Sequence, residues 1–319
     1  MIEVVALGEL LIDFTCKQID QDGYPTMEAH PGGAPANFLA ALSRFGCKTA
    51  MLGKVGADAF GSMLLSTLDK KGIDTSGLIT DPQVFTTLAF VTLDSAGDRS
   101  FSFARKPGAD TCLRFEELDL SLIDACRVFH FGTLSLTDEP ARTATYKAVE
   151  YARKQGKLVT FDPNLRKPLW QDLGEAKTQM LWGLSHADVV KISDEEVAFL
   201  FDLGVAAGAQ YILDHFGVQL VFVTCGANGC YFQNKQACGM VPALSGISVT
   251  DTTGAGDIFG GSAVYGILQA DTAPEELTES QLQQIVRFAC ASAGLSTTKA
   301  GGISSVPDFA DVITAMKTI

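Results

Sequence analysis

The run Asp251-Thr-Thr-Gly-Ala-Gly-Asp257 combines a potential anion-binding turn with a carboxylate. A β-like stretch leads into this run and a helix of small residues begins near Asp257. The backbone amides of Gly254, Ala255, Gly256 and Asp257 should therefore point outward at a helix N-terminus, which favours an anion by ~0.3–2 kcal/mol. Because a carboxylate beside that anion would repel it, Asp257 needs a further reason to be there. A general base toward an attacking hydroxyl, which typically contributes ~10²–10⁴-fold, is one such reason, and a plain N-cap aspartate is the structural alternative.

A second glycine turn, Pro31-Gly-Gly-Ala-Pro-Ala-Asn37, precedes a helical pattern that extends to Gly46. The glycine pair predicts a tight turn with exposed backbone, and Pro35 suits the first turn of the helix that follows. On that turn Asn37 could offer both a donor and an acceptor to a polyol. Asp13, which we expect at the end of the first strand, is a further acceptor for a hydroxyl. Taken alone, the glycine turn indicates no more than a helix start.

The two common nucleotide-binding motifs are absent from the sequence. No glycine-rich P-loop signature ending in Gly-Lys-Ser or Gly-Lys-Thr occurs, which excludes a P-loop enzyme. Gly254 and Gly256 lack the third glycine of a dinucleotide-binding fingerprint, and this weakens the hypothesis of a hydride-transfer enzyme. The amides of the 254–257 turn could nevertheless offset the charge of a transferred phosphoryl group.

Composition narrows the class of protein. The chain of 319 residues is 47% apolar and 19% charged, which suits a soluble protein with a sizeable core. Its formal net charge of −13 argues against a nucleic-acid partner, because such a partner needs a basic face. The N-terminal apolar run has no basic region before it, and no apolar stretch approaches the ~20 residues that span a bilayer, so we expect neither a signal peptide nor a membrane segment. The eight cysteines form no CxxC pair and only four histidines are present, which argues against a zinc site and favours a reducing, cytoplasmic location.

Short apolar runs alternate with longer helical patterns along most of the chain. The predicted strands are 4–11, 49–55, 128–132, 158–162, 189–192 and 220–225, and the predicted helices include 36–45, 61–71, 141–155 and 195–201. Near-continuous apolar strands joined by helices indicate an α/β protein with a parallel sheet covered on both faces.

Two segments interrupt this alternation and predict a small β-sheet inserted into the core. Residues 14–30 are polar and contain a Gln-Asp-Gly turn, and residues 86–105 have the pattern of a hairpin about the turn Asp-Ser-Ala-Gly-Asp at 94–98. We predict one domain whose core comprises about 1–12, 31–84 and 112–319 and whose β-lid comprises about 13–30 and 85–111. Ordinary surface hairpins are the alternative for both segments.

The two glycine motifs, in this order, resemble the two signatures of the PfkB (ribokinase-like) carbohydrate kinase family. The first signature is Gly-Gly-Ala-Pro-Ala-Asn37 with Gly46, Gly53 and the run Gly56-Ala-Asp-Ala-Phe-Gly61, and the second is the 251–257 run. The similarity covers essentially the whole chain. It implies a ribokinase-like three-layer α/β/α Rossmann-like core, a small inserted β-sheet lid over a sugar site, ATP with Mg²⁺, and often a monovalent cation.

Within this family, the runs at 105–110, 161–170 and 191–196 are similar to those of fructokinases. By this similarity, the residues expected to contact the sugar are Asp13, Gly32, Gly33, Asn37, Arg105, Arg166 and Asp257. Arg105 would come from the lid and Arg166 from the end of a core strand. Each guanidinium could brace sugar oxygens or phosphate, and a surface ion pair is the structural alternative for each. The turn formed by Gly254, Ala255 and Gly256 would serve as the anion hole beside the base.

The resemblance also places ATP along the strand end and glycine turn at 224–229. The residues expected to contact ATP are Lys191, Ser193, Thr224, Gly226, Gly229, Gly254, Gly256 and Cys290. The sequence departs from the family pattern twice: Ser193 replaces the asparagine of an NxxE motif, so that only Glu196 carries over as an indirect Mg²⁺ contact, and Cys290 replaces an asparagine often found near the adenine. A bound K⁺ would use oxygens of Asp251, Thr253, Ser296, Lys299, Gly301 and Ser305.

We therefore expect an ATP-dependent sugar kinase, a phosphotransferase with an alcohol acceptor, most similar to a fructokinase that forms fructose 6-phosphate. A 2-keto-3-deoxygluconate kinase would use a similar lid arginine and a similar Asn-x-Arg strand end. Another sugar or nucleoside kinase of the family, or a non-catalytic relative that binds the same ligands, are the remaining alternatives. The expected partners are the sugar and ATP, with neither nucleic acid nor membrane, and the open edge of a lid sheet is compatible with a homodimer through the lid.

Overall fold

The computed structural model describes residues 2–93 and 99–319. The predicted hairpin turn at 94–98 lies outside the described residues. The described strands, in chain order, are β1 (Val4–Leu7), β2 (Leu11–Ile19), β3 (Pro25–Gly32), β4 (Thr49–Gly56), β5 (Ile73–Asp74), β6 (Leu78–Asp81), β7 (Leu88–Leu93), β8 (Arg99–Ala104), β9 (Val128–Gly132), β10 (Leu158–Asp162), β11 (Val189–Ser193), β12 (Leu220–Thr224), β13 (Cys230–Asn234) and β14 (Cys238–Val241). The α-helices in the same ranges are α1 (Ala34–Arg44), α2 (Ala59–Lys70), α3 (Leu120–Ala125), α4 (Ala141–Lys154), α5 (Leu173–Leu184), α6 (Asp194–Phe201), α7 (Val205–Phe216), α8 (Ala255–Ala270), α9 (Glu279–Ser296) and α10 (Phe309–Ala315).

Ten of the described strands form one large sheet at the centre of the molecule. Their order is β14-β13-β12-β11-β10-β9-β1-β4-β5, and β6 pairs with the end of β4. The pairings from β12 to β5 are parallel, whereas β13 and β14 are added antiparallel at one edge. Because parallel strands point the same way, the carboxyl ends of β9 to β12 open at one edge of the sheet, where ligands of such sheets bind.

Helices cover both faces of this sheet. On one face α3 to α7 pack against buried residues such as Phe129, Phe161 and Val190. On the other face α1, α2, α8, α9 and α10 pack against residues such as Val4, Ala6 and Met51, with Val189 and Phe222 beneath α8 and α9. The predicted three-layer α/β/α core is thus present, and near-continuous burial explains why its strands were recognisable from the sequence.

The other four described strands form a second sheet, in the order β3-β2-β7-β8. The central pair β2–β7 is parallel, and the outer pairs β2–β3 and β7–β8 are antiparallel. Phe14 of β2 stacks on Phe90 of β7, with ring centroids 5.3 Å apart, and meets Phe60 of α2 edge-on at 5.5 Å. Since side chains alternate along a strand, these aromatic contacts direct the neighbouring Asp13 to the opposite face of the small sheet.

One predicted strand was wrong in its extent. The run 4–11 is two strands, because β1 ends at Leu7 and the chain enters the second sheet at Leu11. The pattern of apolar residues could not show this break, since Leu10, Leu11 and Ile12 are as buried as β1 itself. Asp13 consequently lies inside β2 and not at the end of the first strand. The predicted strands 128–132 and 158–162 match β9 and β10, and the other predicted core strands and helices match within two residues at each end.

Within the described part of the chain, no single helix has the length and apolar character to cross a bilayer, and only the pair α6 and α7, bent by 63°, meets those two criteria together. All eight cysteines are free thiols.

Candidate active site

Helix α8 begins at the turn where the sequence predicts an anion site. Gly254 precedes the helix with φ 75°, in the left-handed region that favours glycine. The amide of Ala255 donates to the carbonyl oxygen of Thr252 at 3.2 Å. The amides of Gly254, Gly256 and Asp257 have no acceptor among the described residues. Three of the four predicted amides are therefore free to donate to an anion. The amide of Ala255 instead closes the turn through its hydrogen bond to Thr252.

Asp257 is the third residue of α8, and it is only 7% exposed. Burial raises the pKa of Asp257, while a hydrogen bond from Asn37 and the positive charges of Lys191 and Arg166 oppose the rise. In that hydrogen bond Asn37 Nδ2 donates to Asp257 Oδ2 at 2.8 Å. A carboxylate whose pKa is raised toward neutrality takes up a proton more readily than an exposed one, as a general base must.

A buried ion pair lies beneath the first turn of α8. Lys191 Nζ is 3.0 Å from Asp162 Oδ2, and the two side chains are 12% and 7% exposed. Asp162 is the last residue of β10, and Lys191 is the middle residue of the neighbouring parallel strand β11. Burial raises the pKa of Asp162 to about 7, and the charge of Lys191 opposes that rise. A Cβ atom on Gly256 would lie 2.9 Å from Lys191 Nζ, so the lysine is adjacent to the anion turn.

Two charged residues, Asp13 on β2 of the small sheet and Arg166 in the segment after β10, lie near Asp257. Burial raises the pKa of Asp13 to about 6; the charge of Arg166 lowers this pKa, and the carboxylates of Asp257 and Asp251 raise it further. A Cβ atom on Gly32 would lie 2.3 Å from Asp13 Oδ2, and one on Gly33 would lie 2.5 Å from a backbone oxygen. Asp13, with Gly32 beside it, and Arg166 therefore lie near the Asp257 carboxylate, whereas Gly33, the residue before α1, approaches the backbone of Glu9.

Arg105 has a different environment from that expected of a sugar ligand. It directly follows β8, and its Nε and Nη2 lie 2.8 and 2.7 Å from Asp110 Oδ2. Its Nη1 donates to Thr137 Oγ1 and its Nη2 to the carbonyl oxygen of Leu134, each at 2.8 Å. The side chains of Arg105 and Asp110 are each 3% exposed. Arg105 therefore forms a buried ion pair with a residue five positions away and joins the end of β8 to the segment after β9 through hydrogen bonds to Thr137 and Leu134. Neither the surface-pair interpretation nor the sugar contact anticipated this arrangement.

Sequence reasoning missed a buried carboxyl group, Glu9, beside this ion pair. Glu9 Oε1 accepts a hydrogen bond of 2.7 Å from the amide of Ala34 at the start of α1. Burial raises the pKa of Glu9 to about 7 despite that bond, and the charge of Arg105 lowers it. Its signal in the sequence was a single carboxylate inside the apolar run 4–12, where charged residues are rare unless they are paired.

The residues expected to contact ATP lie mainly at the ends of β11 and β12. Ser193 and Thr224 are opposite one another in the register of these strands. Gly226 has open space where a side chain would be, whereas a Cβ atom on Gly229 would lie 2.0 Å from the carbonyl oxygen of Val241. Packing against Val241 therefore requires a glycine at position 229 whether or not ATP binds there. Cys290 is 5% exposed and belongs to the apolar cluster beneath β12 and β13.

Glu196 closes the first turn of α6. Its Oε2 accepts from the amide of Ser193 at 2.8 Å, and its Oε1 accepts from the amide of Leu165 at 2.7 Å. The described residues contain no group of three or more His, Cys, Asp or Glu side chains that could hold a metal ion. Mg²⁺ commonly keeps several waters and binds substrate phosphates. Glu196, each of whose oxygens already accepts one backbone hydrogen bond, could accept a further hydrogen bond from a water of a nucleotide-bound Mg²⁺.

The residues expected around K⁺ are brought together by a second turn. Asp251 Oδ1 accepts from the amide and hydroxyl of Thr253, at 3.0 and 2.7 Å, and its Oδ2 accepts from the amide of Gly301 at 3.0 Å. The amides of residues 250 and 251 both donate to the carbonyl oxygen of Thr297, which holds the 296–305 segment against this turn. Backbone carbonyl oxygens accept the donors of the other three residues: Ser296 Oγ donates to Ala293, Ser305 Oγ to Gly302, and the amide of Lys299 to Ser296. Carboxylate and carbonyl oxygens nearby fit the hard-oxygen preference of such a cation.

A family model described as pfkB family carbohydrate kinase matches residues 1–308. The chain belongs to the pfkB family of carbohydrate kinases. This pfkB kinase is 41% identical over 317 residues to a curated protein named probable fructokinase-3 from Arabidopsis thaliana, covering 98% of this chain and 91% of the relative.

The fold of the pfkB kinase resembles those of solved fructokinases. A fructokinase with bound ATP from Xylella fastidiosa aligns with a TM-score of 0.91 at 30% identity, covering 100% of this chain and 99% of the other. A fructokinase from Vibrio cholerae O395, in its form with bound fructose, ADP and calcium ion, aligns with a TM-score of 0.88 at 32% identity, covering 99% of both chains. The ribokinase-like fold and the family predicted from the two glycine motifs are confirmed.

Proposed function

We propose that this pfkB kinase is an ATP-dependent fructokinase that forms fructose 6-phosphate. The observation that carries the proposal is the buried Asp257 carboxylate on the first turn of α8, beside three amides without an acceptor among the described residues. Phosphorylation of a hydroxyl needs both a group that takes the proton and donors that stabilise the phosphoryl charge. Fructose as the acceptor is supported by the names of the relatives, one of which was solved with fructose and ADP.

In the proposed mechanism, Asp257 takes the proton of the fructose 6-hydroxyl. The hydroxyl oxygen forms a bond to the γ-phosphorus of ATP, the bond from that phosphorus to the β,γ-bridging oxygen breaks, and its electron pair leaves with ADP. The free amides at the start of α8 donate to the oxygens of the phosphoryl group in transit. The small sheet, which carries Asp13, covers the sugar and excludes water.

The proposed contacts follow from these positions. We propose that the sugar contacts Asp13, Gly32, Gly33, Arg166 and Asp257. Direct sugar contacts of Asn37 and Arg105 stay predictions, since both side chains have buried protein partners. We propose that ATP contacts residues of β11, of the end of β12 and the turn after it, of the start of α8, and of α9: Lys191, Ser193, Thr224, Gly226, Gly229, Gly254, Gly256 and Cys290.

Two cations complete the proposal. Mg²⁺ would neutralise part of the phosphate charge of ATP, and Glu196 is the residue that would hold it, indirectly. K⁺ would lie at the turn that Asp251, Thr253 and Gly301 share, next to the anion site. Activity that persists in EDTA would contradict the divalent ion, and equal rates in potassium and in tetramethylammonium buffers would contradict the monovalent one.

A coupled ADP-release assay over a panel of acceptors tests the substrate. The panel contains fructose, other hexoses, ribose, 2-keto-3-deoxygluconate and nucleosides, and we expect the highest kcat/KM with fructose. A preference for the keto acid would identify a 2-keto-3-deoxygluconate kinase. Binding of fructose and ATP without ADP release from any acceptor would identify a non-catalytic relative.

Asp257→Asn tests the base. We expect turnover to fall ~10²–10⁴-fold because the proton acceptor is lost, while ATP still binds. Asp311→Asn is a matched control, since Asp311 is likewise the third residue of a helix, α10, but is exposed. Turnover of Asp257→Asn within a few-fold of the control would exclude Asp257 as the base.

We also propose a homodimer through the small sheet and a cytoplasmic location. The edge strands of this sheet are β3 and β8, and the outer backbone groups of each have no strand partner in the described chain. Such edges favour pairing with another strand. A single species of 33.9 kDa in light scattering would contradict the dimer. Recovery of the protein outside the cytoplasm in cell fractionation would contradict the location.

A further inference from the structure

The buried carboxyl group of Glu9 lies where the chain passes from the large sheet to the small one. β1 ends at Leu7 and β2 begins at Leu11, so Glu9 belongs to the short link between the two sheets. It is 3% exposed, and neither the proposed base nor the proposed cation sites use it. Because charged side chains are rarely buried without a partner, the contacts of Glu9 indicate its role.

The direct partner of Glu9 is the amide that follows the Gly32-Gly33 turn. Glu9 Oε1 accepts from the amide of Ala34, the first residue of α1, at 2.7 Å, although the two residues are 25 positions apart in the chain. Gly33, which precedes the helix, has no side chain to accept from that amide. Since the first amides of a helix need acceptors from outside it, and a carboxyl group there also suits the helix dipole, Glu9 caps α1.

The backbones of the two links approach each other too closely for side chains on both sides of this hydrogen bond. A Cβ atom on Gly33 would lie 2.5 Å from the carbonyl oxygen of Glu9, and one on Gly8 would lie 2.7 Å from Cγ of Pro35. The amide between Gly33 and the helix is thus fixed against the β1–β2 link. The proposed sugar contacts of the glycine turn therefore depend on a contact made behind the turn.

The other two links between the sheets meet in the same buried polar cluster. Thr87, directly before β7, donates through its hydroxyl to Asp110, and Arg105, directly after β8, donates through Nε to the same carboxylate at 2.8 Å. Burial raises the pKa of Glu9 to about 7, and the positive charge of Arg105 opposes that rise. All four links, represented by Glu9, Ala34, Thr87 and Arg105, thus contribute to one cluster. Its interior location gives the carboxyl group of Glu9 a fixed position from which to hold the turn.

We propose that Glu9 is a positioning residue of the sugar site: through the amide of Ala34, it holds the Gly32-Gly33 turn in the conformation that binds the sugar. The proposal rests on the proposed sugar contacts of that turn. Because the amide requires an acceptor oxygen and not a charge, a glutamine side chain should serve in place of Glu9, whereas a leucine side chain should not.

Glu9→Leu and Glu9→Gln test the proposal. With Glu9→Leu we expect the fructose KM to rise ~10-fold, because a buried donor at the turn is left without an acceptor, and kcat and the ATP KM to change less than ~3-fold. With Glu9→Gln we expect the fructose KM to stay within ~3-fold of the parent. Calorimetric titration with fructose in the absence of ATP should show the same ~10-fold difference in Kd between the two variants.

Ala34→Pro removes the same hydrogen bond from the donor side. Proline has no amide hydrogen and is favoured at the first position of a helix, so this substitution leaves the start of α1 intact. We expect a rise in the fructose KM similar to that of Glu9→Leu. Because both substitutions remove one contact, the double variant should show no larger rise than the greater of the two single changes. If Glu9→Leu fails to fold, Ala34→Pro carries the same comparison.

Asp188→Leu is the matched control. Asp188 Oδ2 likewise accepts a hydrogen bond of 2.8 Å from a backbone amide, that of Val159, at the amino ends of β10 and β11, away from the site. We expect the control to lower the melting temperature and to leave the fructose KM unchanged.

Two results would overturn the proposal. One is a fructose KM of folded Glu9→Leu or Ala34→Pro that equals that of the parent, with a lower melting temperature as in the control. The other is a rise in the fructose KM that is as large with Glu9→Gln as with Glu9→Leu. Failure of the proposed function is distinct, because the parent itself would then release no ADP with fructose. In that case the same KM and Kd comparisons are made with the acceptor that the panel identifies.

Discussion

Replacing Arg105 with methionine should lower the free energy of unfolding and leave the fructose KM largely unchanged. The side chain of Arg105 is 3% exposed, and its guanidinium nitrogens are bound to Asp110, Thr137 and a backbone carbonyl. Methionine keeps most of the volume but leaves Asp110, which is equally buried, with the hydroxyl of Thr87 as its remaining side-chain partner.

The size of the effect follows from the burial of both partners. Removing one partner of a buried ion pair costs about 3–5 kcal/mol, because the other charge remains without compensation. Unfolding entropy near 60 °C is about 2.1 cal/mol/K per residue, which for a chain of 319 residues gives about 0.7 kcal/mol/K. We therefore expect Arg105→Met to lower the melting temperature by about 4–7 °C.

Thermal unfolding and fructose kinetics of three variants check this reasoning. Arg127→Met is the control, because Arg127 pairs with Asp271 at the surface, where the side chains are 50% and 84% exposed, and surface pairs contribute about 0–1 kcal/mol. Asp110→Asn should resemble Arg105→Met in melting temperature and in any change of KM. The reasoning is refuted if Arg105→Met melts like the control while its fructose KM rises and that of Asp110→Asn does not. That result would show that Arg105 leaves Asp110 to bind the sugar.

Two further predictions concern buried charges. The pKa of Glu9 is raised from 4.5 to about 7, so the folded state binds more protons than the unfolded state in this range, and the free energy of unfolding falls as pH rises through it. Glu9→Gln should remove up to about 3 kcal/mol of that fall, measured by denaturant unfolding at pH 4.5 and 7.5. A difference between the two pH values that equals that of the parent would contradict this prediction. Lys191→Met should raise the ATP KM at least ~10-fold, because it removes a cation beside the anion turn. Asp162→Asn keeps that cation and should change the ATP KM less than ~3-fold. Equal effects of the two substitutions on the ATP KM would show that the ion pair only supports the fold.

The strands and helix starts were largely predictable because their determinants are local. Strands β9 and β10 matched their predicted bounds, since each is a short apolar run between polar residues. The anion turn was predictable because its determinants are consecutive residues: Gly254, which the structure has at φ 75°, directly precedes the first residue of α8. The break between β1 and β2 was not predictable, because both sides of it are buried.

Partners of the buried polar residues depend on contacts between distant segments. Arg105 carried the pattern of a lid residue that reaches the sugar, and its proximity to Thr137 and Leu134 arises only when the small sheet packs on the core. Asn37 was predicted to contact the sugar, and that contact stays a prediction; the hydrogen bond from its Nδ2 to Asp257 depends on the close packing of α1 on α8, which the sequence did not show. No periodicity or spacing within one segment contains such information.

The sequence by itself determined the family, the parallel α/β core, and the turn with Asp257 at its end. Glycines, a carboxylate and a helix start in one short run define that chemistry through backbone geometry alone. Only the tertiary structure decided which side chains support the carboxylate. The physical reason is that the hydrogen bonds from Asn37 to Asp257 and from Arg105 to Thr137 require donor and acceptor atoms about 3 Å apart. These residues are 220 and 32 positions apart in the chain, so that distance is set by how helices and sheets pack.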